Sequence, residues 1–162
     1  MANLKHEIQQ KIPFSSLEEE ALLNLVRTSD FIERAFQQKI RPSGITSTQY
    51  NVLRILRGAH PEGLQCSAIG ARMLTAEPDI TRLLARLKAL KLIRQHRCAN
   101  DRRIIWTQIA PAGLKLLERM DPLMRRLPPC LLGHMSRSKL SQLIRLLEMA
   151  RRPCVGSQPG GE

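Results

Sequence analysis

The chain has 162 residues, room for one compact domain with arms but not for two independent cores. Hydrophobic residues make up 43% and aromatics only 3%, so any core must be built from Leu, Ile, Met and Ala; that excludes a disordered chain and favours helices over a β-sandwich. A formal charge of +12 points to a polyanionic partner, while residues 1–14 lack a signal-peptide core and no run approaches the roughly 20 apolar residues of a membrane span, so a soluble cytoplasmic protein is expected.

The charge is unevenly spread. Residues 17–41 hold five carboxylates against four cations, whereas residues 66–107 and residues 114–152 each hold nine Lys or Arg against three acids. Clustered cations release counterions from phosphates, which places the expected polyanion against the middle of the chain; a solvated basic surface is the plainer alternative.

Ser16-Leu17-Glu18-Glu19 has the capping-box pattern and opens a helix, with Leu22, Val26, Ser29, Ile32 or Glu33, Phe36 and Ile40 recurring at steps of three and four, a stripe that continues to about Lys39 before Pro42 stops it. Thr46-Ser47-Thr48-Gln49 is a second capping box, and Tyr50, Val52, Leu53, Ile55 and Leu56 carry that helix to Gly58, read as its left-handed terminator. After a loop over residues 59–64, residues 66–73 suit a two-turn helix with Ile69 and Met73 on one side.

Thr75, Glu77 and Pro78 mark the start of the next helix, with Thr75 or Glu77 as cap and Pro78 in the first turn. Ile80, Leu83, Leu84, Leu87 and Leu90 fall in one sector of it, and Thr81, Arg82, Ala85 and Ala89 lie opposite, with Arg86 and Lys88 beside them. The period then changes to that of two β-prone runs, residues 92–97 and 103–109, separated by a charged turn over residues 98–102: a hairpin with a basic tip. Pro111 opens a helix with Leu114, Leu117, Met120 and Met124 on one face; Pro122 is expected to kink or split it, and Pro128-Pro129 to end it. Ser136 caps a last helix bearing Leu140, Leu143, Ile144 and Leu147, and the Pro/Gly/Ser-rich residues 153–162 read as a disordered tail.

The order is mainly α with a small β-hairpin wing, and its centre reads as a winged helix-turn-helix, in which a short helix crosses the phosphate backbone and the next enters the major groove. The face of Thr81, Arg82, Ala85 and Ala89 suits that entry, since small side chains allow close approach and Arg82 or Arg86 can fork onto guanine or grip phosphate. Arg102 and Arg103 at the hairpin tip can reach a narrow minor groove, and Asp101, which repels phosphate, is assigned to holding Arg103 in place.

These residues resemble the MarR family of bacterial transcriptional regulators over about residues 44–150. Gly44-Ile45-Thr46-Ser47-Thr48-Gln49-Tyr50-Asn51-Val52-Leu53 is similar to the family's second-helix motif, and Pro78-Asp79-Ile80-Thr81-Arg82-Leu83-Leu84-Ala85-Arg86-Leu87 to its recognition helix. Asp101-Arg102-Arg103 followed by Ile109-Ala110-Pro111-Ala112-Gly113 is similar to its wing signature with the downstream helix start. The resemblance implies a homodimer in which residues 17–41 and 111–152 supply the dimerisation helices, residues 42–110 form the DNA-binding domain, and residues 1–16 are an N-terminal arm. Two lobes would then read the halves of a near-palindromic double-stranded operator, as a repressor relieved in some members by a small aromatic effector. It places Thr81 and Arg82 on base and phosphate contacts, Arg86 on phosphate, and Asp101 with Arg103 in the wing pair. Two positions depart from the pattern: Lys91 stands where a Gly usually ends the recognition helix, and Ala110 where a Thr usually caps the helix after the wing.

Other chemistries find little support. Cys66, Cys98, Cys130 and Cys154 form no C-x-x-C pair, which suits a reducing compartment; inert thiols, with Cys66 as core filler, are preferred to a redox sensor. His6, His60, His96 and His134 are scattered without metal-ligand spacing, so neither a metal nor another cofactor is expected. The acids are mostly in the first helix or isolated, and no nucleophile and base stand together, so the chain is not expected to be an enzyme. Met120, Met124, Met135 and Met149 read as core filler rather than a ligand cleft. The rival from another class is a winged-helix module that binds protein or RNA, because the fold does not dictate the partner.

Overall fold

The computed structural model describes residues 3–98, 101 and 103–152. The chain divides within one long helix into two units, residues 1–124 and residues 125–162, and each is taken by itself.

In the first unit a one-turn helix α1 (Leu4–Glu7) precedes the long helix α2 (Leu17–Ile40). Ser16 caps α2 by accepting from the Glu19 N–H, but the Glu19 carboxylate reaches one residue further back than a regular capping box, to the N–H and hydroxyl of Ser15, both at 2.6 Å. Helix α3 (Ser47–Gly58) opens with the full reciprocal box between Thr46 and Gln49. Gly58 is not its left-handed terminator: the helix runs through it and closes by tightening, Ala59 N–H to the Leu56 carbonyl and His60 N–H to the Arg57 carbonyl, so no left-handed residue is needed.

The loop that follows hides a two-residue strand, β1 (Leu64–Gln65), too short to show a period of two. Helix α4 (Cys66–Gly70) is shorter than the expected two turns, because Arg72 and Met73 make three-residue turns back to Ile69 and Gly70 instead of extending it. Helix α5 (Ile80–Ala89) is capped by neither Thr75 nor Glu77 but by Asp79, whose short carboxylate bends back to the Arg82 N–H; Pro78 therefore lies before the cap, outside the first turn. Strands β2 (Ile93–Arg97) and β3 (Ile105–Ile109) form the expected hairpin, with Ile93 opposite Ile109 and Arg97 opposite Ile105, and β1 adds antiparallel to the other edge of β3.

Helix α6 (Pro111–Leu132) is continuous, so Pro122 does not split it and Pro128-Pro129 does not end it. All three prolines sit at exposed positions, where a missing backbone donor is lost on the water side and the packed face is kept. The second unit contains the end of α6 and helix α7 (Arg137–Ala150), capped by Ser136 through the Lys139 N–H.

The core of the first unit is aliphatic. Ile40, Val52, Leu53, Leu56, Ile69, Leu84, Leu87, Ile109 and Leu117 are its fully enclosed apolar members, and Met120, Met124 and Cys66 pack with them as filler. Leu90, assigned to the core face of α5, is instead 49% exposed, because it is the cap residue where the chain leaves the helix. Met149 on α7 is exposed rather than core filler. Residues 153–162, the expected tail, with Cys154, lie outside the described residues.

Candidate nucleic-acid interface

Helix α5 turns Leu83, Leu84 and Leu87 inward, and the same turn of the helix leaves Thr81, Arg82, Ala85, Arg86, Lys88 and Ala89 exposed. Asp79 takes the Arg82 backbone N–H at 2.9 Å, so the Arg82 side chain leaves from the first, well-anchored turn. The segment before α5 is held to α3, where the Asn51 side chain accepts from the Leu74 N–H at 3.1 Å.

The far end of α5 is fixed by a Schellman motif, in which the Lys91 N–H reaches the Lys88 carbonyl at 2.9 Å and the Leu92 N–H reaches the Leu87 carbonyl at 3.1 Å. Lys91 is left-handed there, with φ +58°, the conformation that glycine usually supplies. The Leu92 carbonyl then accepts the Ala110 N–H at 2.9 Å, and a Cβ on Gly113 would stand 2.4 Å from that carbonyl. The glycine of the Ala110-Pro111-Ala112-Gly113 stretch is therefore what lets α6 start against the end of α5, and this junction aims the helix and the wing from one point.

At the wing the Cys98 N–H donates to the Ile104 carbonyl at 2.9 Å, extending the ladder beyond β2 and β3. Asp101 folds the tip as an Asx turn. One carboxylate oxygen accepts the Arg103 backbone N–H at 2.9 Å and its Nε at 3.2 Å, the other accepts Nη2 at 3.3 Å, and the Asp101 carbonyl takes the Ile104 N–H at 3.0 Å. The Arg103 side chain beside it, followed by that backbone N–H, holds the Asp101 carboxyl below the usual carboxylate range. Arg103 remains 92% exposed, so its outer N–H groups face solvent.

The assigned residues thus form two groups on consecutive elements of one unit: Thr81, Arg82, Ala85 and Arg86 on one face of α5, and Asp101 bound to Arg103 at the wing. Arg102 lies outside the described residues. Sequence reasoning missed Asp79 and Asn51, which shape this surface without facing a ligand. Asp79 was legible as a helix cap, but nothing near Asn51 signals a bond to a residue 23 positions away. Arg94 and Arg97 on β2 are further exposed cations of the same hairpin. Among the described residues no group of three His, Cys, Asp or Glu side chains could hold a metal, and no helix is long and apolar enough to cross a membrane.

A short helix, a capped helix with an exposed cationic face and a hairpin bearing a braced arginine together define a winged helix-turn-helix protein. A MarR family model matches residues 43–104. A MarR transcription factor from Planctomyces limnophilus is 38% identical, covering 85% of this chain and 99% of its own, with a TM-score of 0.65. The chain belongs to the MarR family of transcription regulators. BpsR of Bordetella bronchiseptica, solved in a study of how 6-hydroxynicotinic acid regulates its DNA binding, shares the fold at TM-score 0.76 and 24% identity over 88% of this chain and 100% of its own. A mutant MarR from E. coli, solved with operator DNA, shares it at 0.71 and 20% over 93% and 100%.

Proposed function

We propose that this chain is a cytoplasmic, homodimeric, sequence-specific double-stranded-DNA-binding repressor that reads a near-palindromic operator. The observation that carries the reading is the pairing of a small-residue, arginine-bearing face on α5 with an Arg103 guanidinium that Asp101 braces outward. Each lobe, residues 42–110, would place α5 in the major groove, with Arg82 and Arg86 on bases or phosphates around Thr81 and Ala85, and the wing arginine in the flanking minor groove. Residues 17–41 and 111–152 would supply the dimer contacts. The operator complex of the E. coli relative supports the partner, and the BpsR study supports a small aromatic acid as effector. An open cavity of about 530 Å³ in the first unit, lined by Arg34, Gln37, Gln38 and Arg41 among others, offers cationic and amide donors to such an acid.

Selecting random duplexes with the purified protein tests the reading. Enrichment of an inverted repeat is expected, with an affinity that falls roughly a thousandfold or more between 50 and 200 mM salt if six or so phosphates are held per complex. Binding that ignores sequence, or that prefers RNA or a protein to every duplex, would replace this function by that of a general winged-helix module.

A further inference from the structure

Helix α3 is the buried rod of the lobe, with Val52, Leu53 and Leu56 fully enclosed, and it is clamped by polar bonds at both ends. At its start the Ser47 hydroxyl donates to the Glu33 carboxylate of α2, and Gln37 Nε2 donates to Ser47 Oγ at 2.8 Å and to Glu33 at 3.1 Å. At its end Arg57 Nη1 meets Asp121 Oδ2 of α6 at 2.8 Å, with side chains only 34% and 22% exposed. The same carboxylate is felt at the buried Tyr50 hydroxyl, which burial pushes up and Asp121 raises further against the neighbouring arginines. The two clamps are ten residues apart on one helix, about 15 Å along its axis.

Apolar packing holds the lobe on α2 and α6 but is non-directional, so it fixes contact better than angle. A rod held at one end can pivot, and a rod held at both cannot. We propose that Arg57–Asp121 and Glu33–Ser47–Gln37 act together as a positioning strut that sets the tilt of the reading lobe on the long helices, and so the spacing between half-sites that the protein accepts. The inference rests on the dimeric, operator-reading function proposed above. A tilt of about 10° acting over roughly 20 Å would displace α5 by about 3.5 Å, close to one base-pair step along the duplex. A loosened strut therefore costs selectivity for spacing before it costs contact with either half-site.

The test uses the full chain, the selected operator, versions of it with one base pair added to or removed from the spacer, and a duplex carrying one half-site. The wild-type protein is expected to bind the altered spacers at least about tenfold more weakly. Arg57→Met and Asp121→Asn are expected to lose most of that discrimination while keeping wild-type affinity for the single half-site, and the double swap Arg57→Asp with Asp121→Arg to recover much of it. A purely structural role predicts equal loss on every duplex with no recovery in the swap, and that outcome, or unchanged spacing selectivity in the single variants, overturns the strut. Should Asp121→Asn fail to fold by circular dichroism, Glu33→Gln at the other clamp is measured in the same way. A wild-type protein with no preference for inverted repeats would instead overturn the function on which the strut rests.

Discussion

Arg103 spends part of its guanidinium on Asp101 and presents the rest to solvent, and the value of that arrangement lies in direction rather than energy. An exposed ion pair contributes little to stability. What the pair does is fix the angle at which the remaining donors leave the wing, because three bonds from one residue to its neighbour two positions on leave the tip little freedom. The carboxylate is also what the pH dependence turns on. Its pKa is depressed in the folded protein, so the pair is fully formed above the unfolded value of about 4 and is lost only as pH falls through the lower folded value. DNA affinity between pH 6 and 8 should therefore be blind to this group. In an NMR titration the Asp101 carboxyl is expected to titrate higher in Arg103→Ala than in the wild type, and an unmoved midpoint would show that the arginine does not hold it. Asp101→Asn keeps an acceptor for the backbone N–H but loses the charge, so it should weaken operator binding by roughly 2- to 5-fold, against the ~1–3 kcal/mol expected for Arg103→Ala.

At the scale of elements, the end of α5 has a built-in flaw that can be repaired. Lys91 adopts the left-handed conformation the Schellman motif demands, while Leu87 and Leu92 on either side of the turn are buried and hold it there. Replacing Lys91 by Gly removes the steric cost of a Cβ in that conformation, about 1 kcal/mol, partly offset by a freer unfolded chain. Thermal unfolding of Lys91→Gly is expected 2–4 °C higher, by roughly the shift that ~1 kcal/mol brings to a chain of this length, and a lowered midpoint would mean that the lysine stem contributes packing. The resemblance marked Lys91 as standing where a Gly usually ends the helix, without deciding its conformation, while the boundary itself was legible from a local signal: a helix period ending at Leu90 and a β-prone run beginning at Leu92. The capping residues Ser16, Thr46 and Ser136 and the hairpin were legible for the same reason, as were the exposed faces that Thr81, Arg82 and Ala85 share. Strand β1 was not, since two residues carry no period and its partner Thr107 is some forty positions away. The continuity of α6 was hidden too, because the rule that proline breaks a helix says nothing about whether the missing bonds fall toward water. Bonds of long range, Asn51 to Leu74 and Arg57 to Asp121, left no mark on either local sequence.

For the whole molecule, helix α2 carries an apolar stripe that the described residues leave exposed. Between Leu17 and Phe31 no side chain is buried, and Leu22 at 60%, Leu25 at 40% and Val26 at 59% exposure form one apolar stripe at helical spacing. About fifteen residues of helix with so little burial are marginal in water, whatever their caps. In the second unit α7 likewise leaves Ile144, Leu146 and Met149 exposed. The N-terminal turn of α2 is acidic through Glu18, Glu19 and Glu20, while residues 125–152 carry seven cations against Glu148 alone, opposite charges that a second copy would pair in the proposed homodimer. Leu22→Ala with Val26→Ala tests whether that surface is the dimer contact. If each copy loses about 1.5 kcal/mol of burial, the dimer is weakened by ~3 kcal/mol, a factor of roughly a hundred in dissociation constant. Sedimentation at micromolar concentration should then show a monomer where the wild type is expected as a dimer, together with operator binding that becomes steeply dependent on protein concentration. A double variant that sediments as the wild type does would move the interface away from α2 and leave this exposed stripe to some other partner.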